Sequence, residues 1–150
     1  MATDWKLLVR QIQPQASLFE PASETEIFEA EQAIGCRFPE DLRSLLSQSN
    51  GASDEWGYGP IRPLIGIVEY TLFIRSVDLA HEYDGREIPM DKFVTIGTDP
   101  GGGQYGFFSE PERGSGINYF EHEAGVFEME AYSLEQYLRY YYKELSILSD

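Results

Sequence analysis

Residues 34–51 contain Ile34-Gly35-Cys36-Arg37-Phe38-Pro39-Glu40-Asp41-Leu42, then Leu45-Leu46, then Ser49-Asn50-Gly51, and they punctuate the chain repeatedly. Gly35 suits the left-handed position just past a helix, because it has no Cβ to clash there. Pro39 fits the first turn of the next helix, where its missing N–H is no loss. Glu40 and Asp41 complement that helix's dipole, and Leu42, Leu45 and Leu46 form its buried stripe. Asn50-Gly51 ends it. Upstream, Ser23 and Glu26 form a Ser-x-x-Glu capping box, followed by Ile27, Ala30 and Ile34 on one face. Further back, Trp5, Leu8, Val9 and Ile12 recur at helical spacing between Asp4 and Gln13, and the stretch from Pro14 to Pro21 breaks the pattern.

Beyond Gly51 the character changes. Ala52 to Pro60 is rich in glycine and polar residues. Ile61 to Ile74 is apolar with many branched side chains and reads as one or two strands. Val77, Leu79, Ala80 and Tyr83 suggest a short helix before Asp84-Gly85. Phe93 to Ile96 and Tyr105 to Phe108 are strand-like, with Gly101-Gly102-Gly103 between them. Ile117 to His122 and Val126 to Ala131 read as a hairpin around Ala124-Gly125. Ser133 and Gln136 then open a second capping box, followed by Leu134, Tyr137, Leu138, Tyr141 and Leu145 on one helical face. The expected class is α+β: N-terminal helices, a central, mostly antiparallel sheet and a closing C-terminal helix.

At 150 residues, with no repeat, linker or low-complexity tract, the chain is expected to form one domain over residues 1–150. Its 42% hydrophobic and 14% aromatic content is enough for a real core. The one cysteine, Cys36, has no internal disulfide partner and no zinc-type spacing around it. No apolar run reaches the ~20 residues needed to span a bilayer. Met1 to Arg10 has no signal-like apolar segment, so a reducing, cytoplasmic location is expected.

The net charge of −15 argues against binding nucleic acid, which needs clustered Lys and Arg, and against anionic membranes. It favours a cationic partner, whose approach an acidic surface would steer, although acidity also simply keeps a protein soluble.

The chemical motifs are weak. Gly101, Gly103 and Gly106 match G-x-G-x-x-G, but a strand-like segment follows where the dinucleotide fingerprint needs a helix. His81 and His122 are the only histidines, and no Cys or third His completes a zinc shell around them. Cys36 reads as a structural thiol. No metal, cofactor, catalytic residue or small-molecule substrate is expected.

The hairpin says more. A loop centred on Ala124-Gly125 pairs Glu121 with Glu128 and Phe120 with Met129, and directly opposed residues share a face. Phe120, His122, Phe127, Met129 and Ala131 then form a core-like face. Tyr119, Glu121, Glu123, Glu128 and Glu130 gather on the other. Opposed glutamates repel, so this face either invites a cationic counterpart or is a solvated face that blocks edge-to-edge aggregation. Two facing carboxylates also admit a carboxylate-dependent hydrolase, the weakest reading, which needs a deep cleft.

The segments, in this order, resemble the SUKH superfamily, which includes the Smi/Knr-type cell-wall regulators and many bacterial immunity proteins. The resemblance runs from about Glu24 to Tyr142. Residues 34–51 look like the family's opening, Ile96-Gly97-Thr98-Asp99-Pro100-Gly101-Gly102-Gly103 like its central strand and glycine turn, and Ala131-Tyr132-Ser133-Leu134-Glu135-Gln136-Tyr137-Leu138 like its closing helix. Phe38 replaces the commoner Leu before Pro39. The resemblance implies an α+β fold without enzymatic activity. It also implies an immunity protein that neutralises a cognate toxin, of nuclease or deaminase type, or alternatively a regulatory or scaffold module. The matched residues look architectural, so they carry over fold and no binding site. Partner contacts are therefore expected on the hairpin face, at Tyr119, Glu121, Glu123, Glu128 and Glu130. A second candidate is the loop Asp54, Glu55, Trp56 and Tyr58, where Trp56 fits an interface hot spot as well as it fits the core.

Overall fold

Asp4 accepts a hydrogen bond from the Leu7 amide at 3.1 Å and starts α1 (Trp5–Ile12), which buries Trp5, Leu8 and Val9. The computed structural model describes residues 3–53, 58–76, 90–109, 116–121 and 126–148. These residues form five α-helices and two antiparallel sheets, an α+β fold closed by a C-terminal helix.

The capping box at the start of α2 (Glu24–Ile34) is complete. Ser23 Oγ accepts from the Glu26 amide, and Glu26 Oε1 accepts from the Ser23 amide. The bonds to Ser23 pull the Glu26 pKa down, as expected where the charged form is the one held. Gly35 ends α2 at φ 89°, in the left-handed region. Pro39 caps α3 (Glu40–Gln48) from just outside its first turn, and Leu42, Leu45 and Leu46 are buried as the pattern requires. Between these helices, Glu31 is buried, accepting the Phe38 amide at 2.7 Å and meeting Arg43 at 3.2 Å.

Two elements have no signature in the sequence. β1 (Ser17–Leu18) and β2 (Ala52–Ser53) pair antiparallel, Ser17 with Ser53 and Leu18 with Ala52. Two residues are too few to show alternation.

The apolar run 61–74 is a correction. Where strands are expected, residues 64–76 form a helix, α4 (Leu64–Ser76). Leu64, Ile67 and Thr71 face inward at i, i+3 and i+7, while Ile65, Tyr70, Leu72 and Phe73 stay exposed. An outward face that is also apolar hides the 3.6-residue period, and branched residues then mimic strand propensity. Length is the better guide, since apolar runs past ~10–12 residues favour a helix. Asn50, read as the stop of α3, also starts α4: its Oδ1 accepts the Leu64 amide at 2.8 Å. The short helix expected near residues 77–83 lies outside the described residues.

The main sheet runs in the order β3 (Phe93–Thr98), β4 (Gln104–Phe108), β5 (Ile117–Glu121), β6 (Val126–Ala131), each pair antiparallel. The glycine turn joins β3 to β4, so a strand and no helix follows it. Segment 59–62 covers the outer edge of β3, the Thr98 amide donating to Gly59 O and the Arg62 amide to Ile96 O.

α5 (Leu134–Leu148) is capped by Ser133, whose Oγ accepts from the Gln136 amide, but Gln136 Oε1 accepts from the Tyr132 amide and not from that of Ser133, so the expected capping box forms only in its Ser133 half. It packs on the sheet face that bears Tyr105, whose ring lies 5.2 Å from Tyr137 and 5.6 Å from Tyr141. α4 lies along β3 toward the opposite face, where Thr71 accepts the Thr95 amide and Ile74 joins the Phe93–Phe120 cluster.

Candidate interaction surface

Among the described residues Phe120, Phe127 and Met129 share one face of the hairpin and Tyr119 and Glu128 the other, as expected, but the register differs. Phe120 stands opposite Phe127 and Tyr119 opposite Glu128, while Glu121 is the last residue of its strand, paired with Val126. This is a shift of two residues from the Glu121–Glu128 pairing, so the side chains from Phe127 to Met129 keep their faces. The observed register avoids opposing two carboxylates. It also brings the Phe120 and Phe127 rings to 4.9 Å, in a group with Phe93 and Phe108.

A bulge between Ile117 and Asn118 makes Glu130 the extra residue of β6. Beyond it Ala131 pairs with Ile117 and is buried on the tyrosine face, not on the phenylalanine face where it was expected. Met129 stays on the phenylalanine side of the ladder but is 44% exposed.

Tyr119 turns out to be half-structural. Its ring lies 4.8 Å from Tyr105, and its hydroxyl donates to Asp99 Oδ2 at 2.9 Å. Asp99 is held in turn by the β3–β4 turn, its Oδ1 accepting the Gly103 amide at 3.0 Å. Gly102 takes φ 89° in that turn. Gly103 is required for a different reason: a Cβ there would overlap the Tyr119 hydroxyl.

Burial, the bond to Asp99 and the charges of Asp99, Glu121 and Glu130 together push the Tyr119 pKa far above its usual value. Burial, then Asp99 and Glu130, raise Tyr105 in the same way. Both phenols therefore stay neutral, surrounded by carboxylates. Glu128 is exposed opposite Tyr119, and Glu121 and Glu130 are half-buried beside it. The surface thus places Asp99, Glu121, Glu128 and Glu130 around one tyrosine. Such a surface suits a guanidinium or ammonium group, by charge and by cation–π contact.

Asp99 was not among the expected contact residues. The signal was present, since an Asp leading into Pro-Gly-Gly-Gly is a turn-forming carboxylate. Tyr58 is 41% exposed. Glu123, Asp54, Glu55 and Trp56, as well as His81 and His122, lie outside the described residues.

Cys36 is half-buried, and burial raises its thiol pKa, with Arg75 opposing and Glu31 adding to the effect. That shift moves it away from the reactive thiolate. Among the described residues no group of acidic, His or Cys side chains is arranged to hold a metal ion. No described helix is long and apolar enough to cross a membrane.

The family model of the SMI1/KNR4 family (SUKH-1) matches residues 21–140. The chain belongs to this family. The SUKH-1 match takes in α2 to α4, the whole four-stranded sheet and the first half of α5, and leaves α1 outside. Within it fall the glycine turn and the acidic strands β5 and β6. Membership supports a protein-interaction role in general terms. A comparison with curated proteins finds no match.

Proposed function

We propose that this SUKH-1 protein works by binding, not by catalysis, and that it is an immunity protein whose partner is a cationic toxin domain. The observation that carries the reading is the single sheet face on which Glu121, Glu128 and Glu130 flank Tyr119 and Asp99. A net charge of −15 supports it, because a nuclease-like toxin presents a basic groove for phosphate, and an acidic surface competes for that groove. The strongly shifted tyrosines are structural: Tyr105 and Tyr119 are neutral and packed on each other, and Tyr119 is hydrogen-bonded to Asp99.

The test starts with a pull-down from the native cell, followed by stopped-flow association with the purified partner. Charge reversal by Glu121→Lys with Glu128→Lys should slow association roughly tenfold at low salt and flatten its salt dependence. An unchanged rate and salt slope would remove the hairpin face from the site. Recovery of an endogenous regulatory protein, with no toxin domain, would favour the scaffold reading.

A further inference from the structure

A cleft of about 410 Å³ opens at the far end of the same β-ladder, between the first turn of α3, the sheet and the start of α5. Its inner wall is apolar, built by Leu42, Ile96, Phe107, Ile117 and Leu134, all buried. Glu40 and Asp41, both exposed, line its mouth together with Tyr132, which is 80% exposed. Its size falls within the range of ~300–1,000 Å³ typical of binding pockets.

Charge decides what it takes. Two helix N-termini reach the cleft, and such termini ordinarily attract anions. At α5 the side chains of Ser133 and Gln136 already occupy the amides of Gln136 and Tyr132. At α3, two carboxylates outweigh a dipole worth roughly half a charge, so the mouth is net negative. An anionic ligand is disfavoured, and an apolar group next to a cation is favoured.

The acidic strand continues the surface. Ala131 pairs with Ile117 of the cleft wall, with Glu130 next along β6 and Glu128 about 10 Å away at ~3.3 Å per residue.

We propose that this cleft seats one apolar side chain of a partner polypeptide whose neighbouring residues are Lys or Arg. The inference rests on the cationic-partner reading above and deepens it, by adding a buried apolar anchor to a charged rim. Anchors in apolar pockets ringed by polar groups carry most of the energy in protein interfaces.

Titration of the full-length ¹⁵N-labelled protein with short peptides tests it. The probe is acetyl-Lys-Phe-Gly-Gly-Lys-Lys-amide. One control has Glu in place of every Lys, and another has Gly in place of Phe. Benzyl alcohol is the small-molecule control. Saturable shifts at Gly116, Ile117, Tyr132 and Leu134 are expected for the probe, with roughly tenfold weaker binding of both peptide controls. Glu40→Gln with Asp41→Asn should weaken the probe roughly fivefold without disturbing the rest of the spectrum.

Equal binding of the Glu peptide would overturn the proposal. So would benzyl alcohol binding as tightly as the probe, which would mark the cleft as a small-molecule site. Shifts confined to Tyr119, Glu121 and Glu128 would overturn the cleft and leave the acidic-strand reading standing. Shifts in the cleft that survive Glu121→Lys with Glu128→Lys uphold the cleft and count against that strand.

Discussion

Gly103 and Tyr119 show how closely the acidic surface depends on single atoms. The Tyr119 hydroxyl reaches Asp99 only because residue 103 has no side chain, and the Gly103 amide itself holds the other oxygen of Asp99. Gly103→Ala should displace the tyrosine, losing a hydrogen bond worth about 1 kcal/mol and adding ~1–3 kcal/mol of overpacking. Denaturant unfolding would register the loss, and an Ala variant as stable as the parent would show that the ring is not so held. A second residue-scale feature lies on the other side of the sheet. Arg62 is buried, with its guanidinium 3.8 Å from the Tyr70 ring centre and Nη2 donating to Gln104 at 2.9 Å. Its Nη1 finds no acceptor among the described residues, and burial pulls its pKa down. The packing of α4 on the sheet therefore tolerates a cost in desolvation.

Among the elements, α4 is the one whose identity the sequence hid, and Asn50 is the residue that sets its start. Reading Asn50-Gly51 only as the end of α3 accounts for Gly51, which takes φ 110°. It does not account for the Asn50 carboxamide bonded to Leu64. Asn50→Gly keeps a residue that can turn the chain but removes this cap. Losing this hydrogen bond should therefore cost about 1 kcal/mol, and Ser23→Ala should cost ~0.5–2 kcal/mol at α2. Thermal unfolding should fall by roughly 2–4 °C per kcal/mol. A melt unchanged by Asn50→Gly would mean that α4 needs no cap from residue 50. The capping box at Ser23, the Ser133 cap, the left-handed Gly35 and the glycine turn were all legible, because each involves residues within about four positions of one another.

The whole molecule is held together by a tyrosine-rich seam between α5 and the sheet. Tyr137 donates to Pro60 O at 2.8 Å and Tyr141 to Thr98 O at 2.6 Å, both against the ring of Tyr105. Burial, and then the neighbouring phenols, push the Tyr137 pKa well above the ordinary value near 10. Tyr105 and Tyr119 shift the same way. The folded state thus keeps protons that the unfolded state releases. The stability this represents is complete below about pH 10 and drains away as pH rises toward the folded pKa values, by up to ~1.4 kcal/mol per pH unit for Tyr137. Unfolding followed by phenolate absorbance should therefore show these tyrosines ionising together with loss of structure. Ionisation of all ten tyrosines near pH 10 in a still-folded protein would contradict the seam.

The sequence by itself determined the α+β class, most helix ends, the glycine turn and the two-faced hairpin, because caps, turns and alternation are written in near neighbours. Tertiary structure decided the rest. It made 61–74 mostly helix, by burying one apolar face against the sheet and leaving another outside. It moved the hairpin register by two residues, since Phe120 gains more opposite Phe127 than Glu121 does opposite Glu128. It drew Asp99 to Tyr119 across twenty positions of chain, and it built the cleft from residues of α3, the sheet and α5. No local pattern encodes such meetings, which arise only when distant segments compete to bury the same surface.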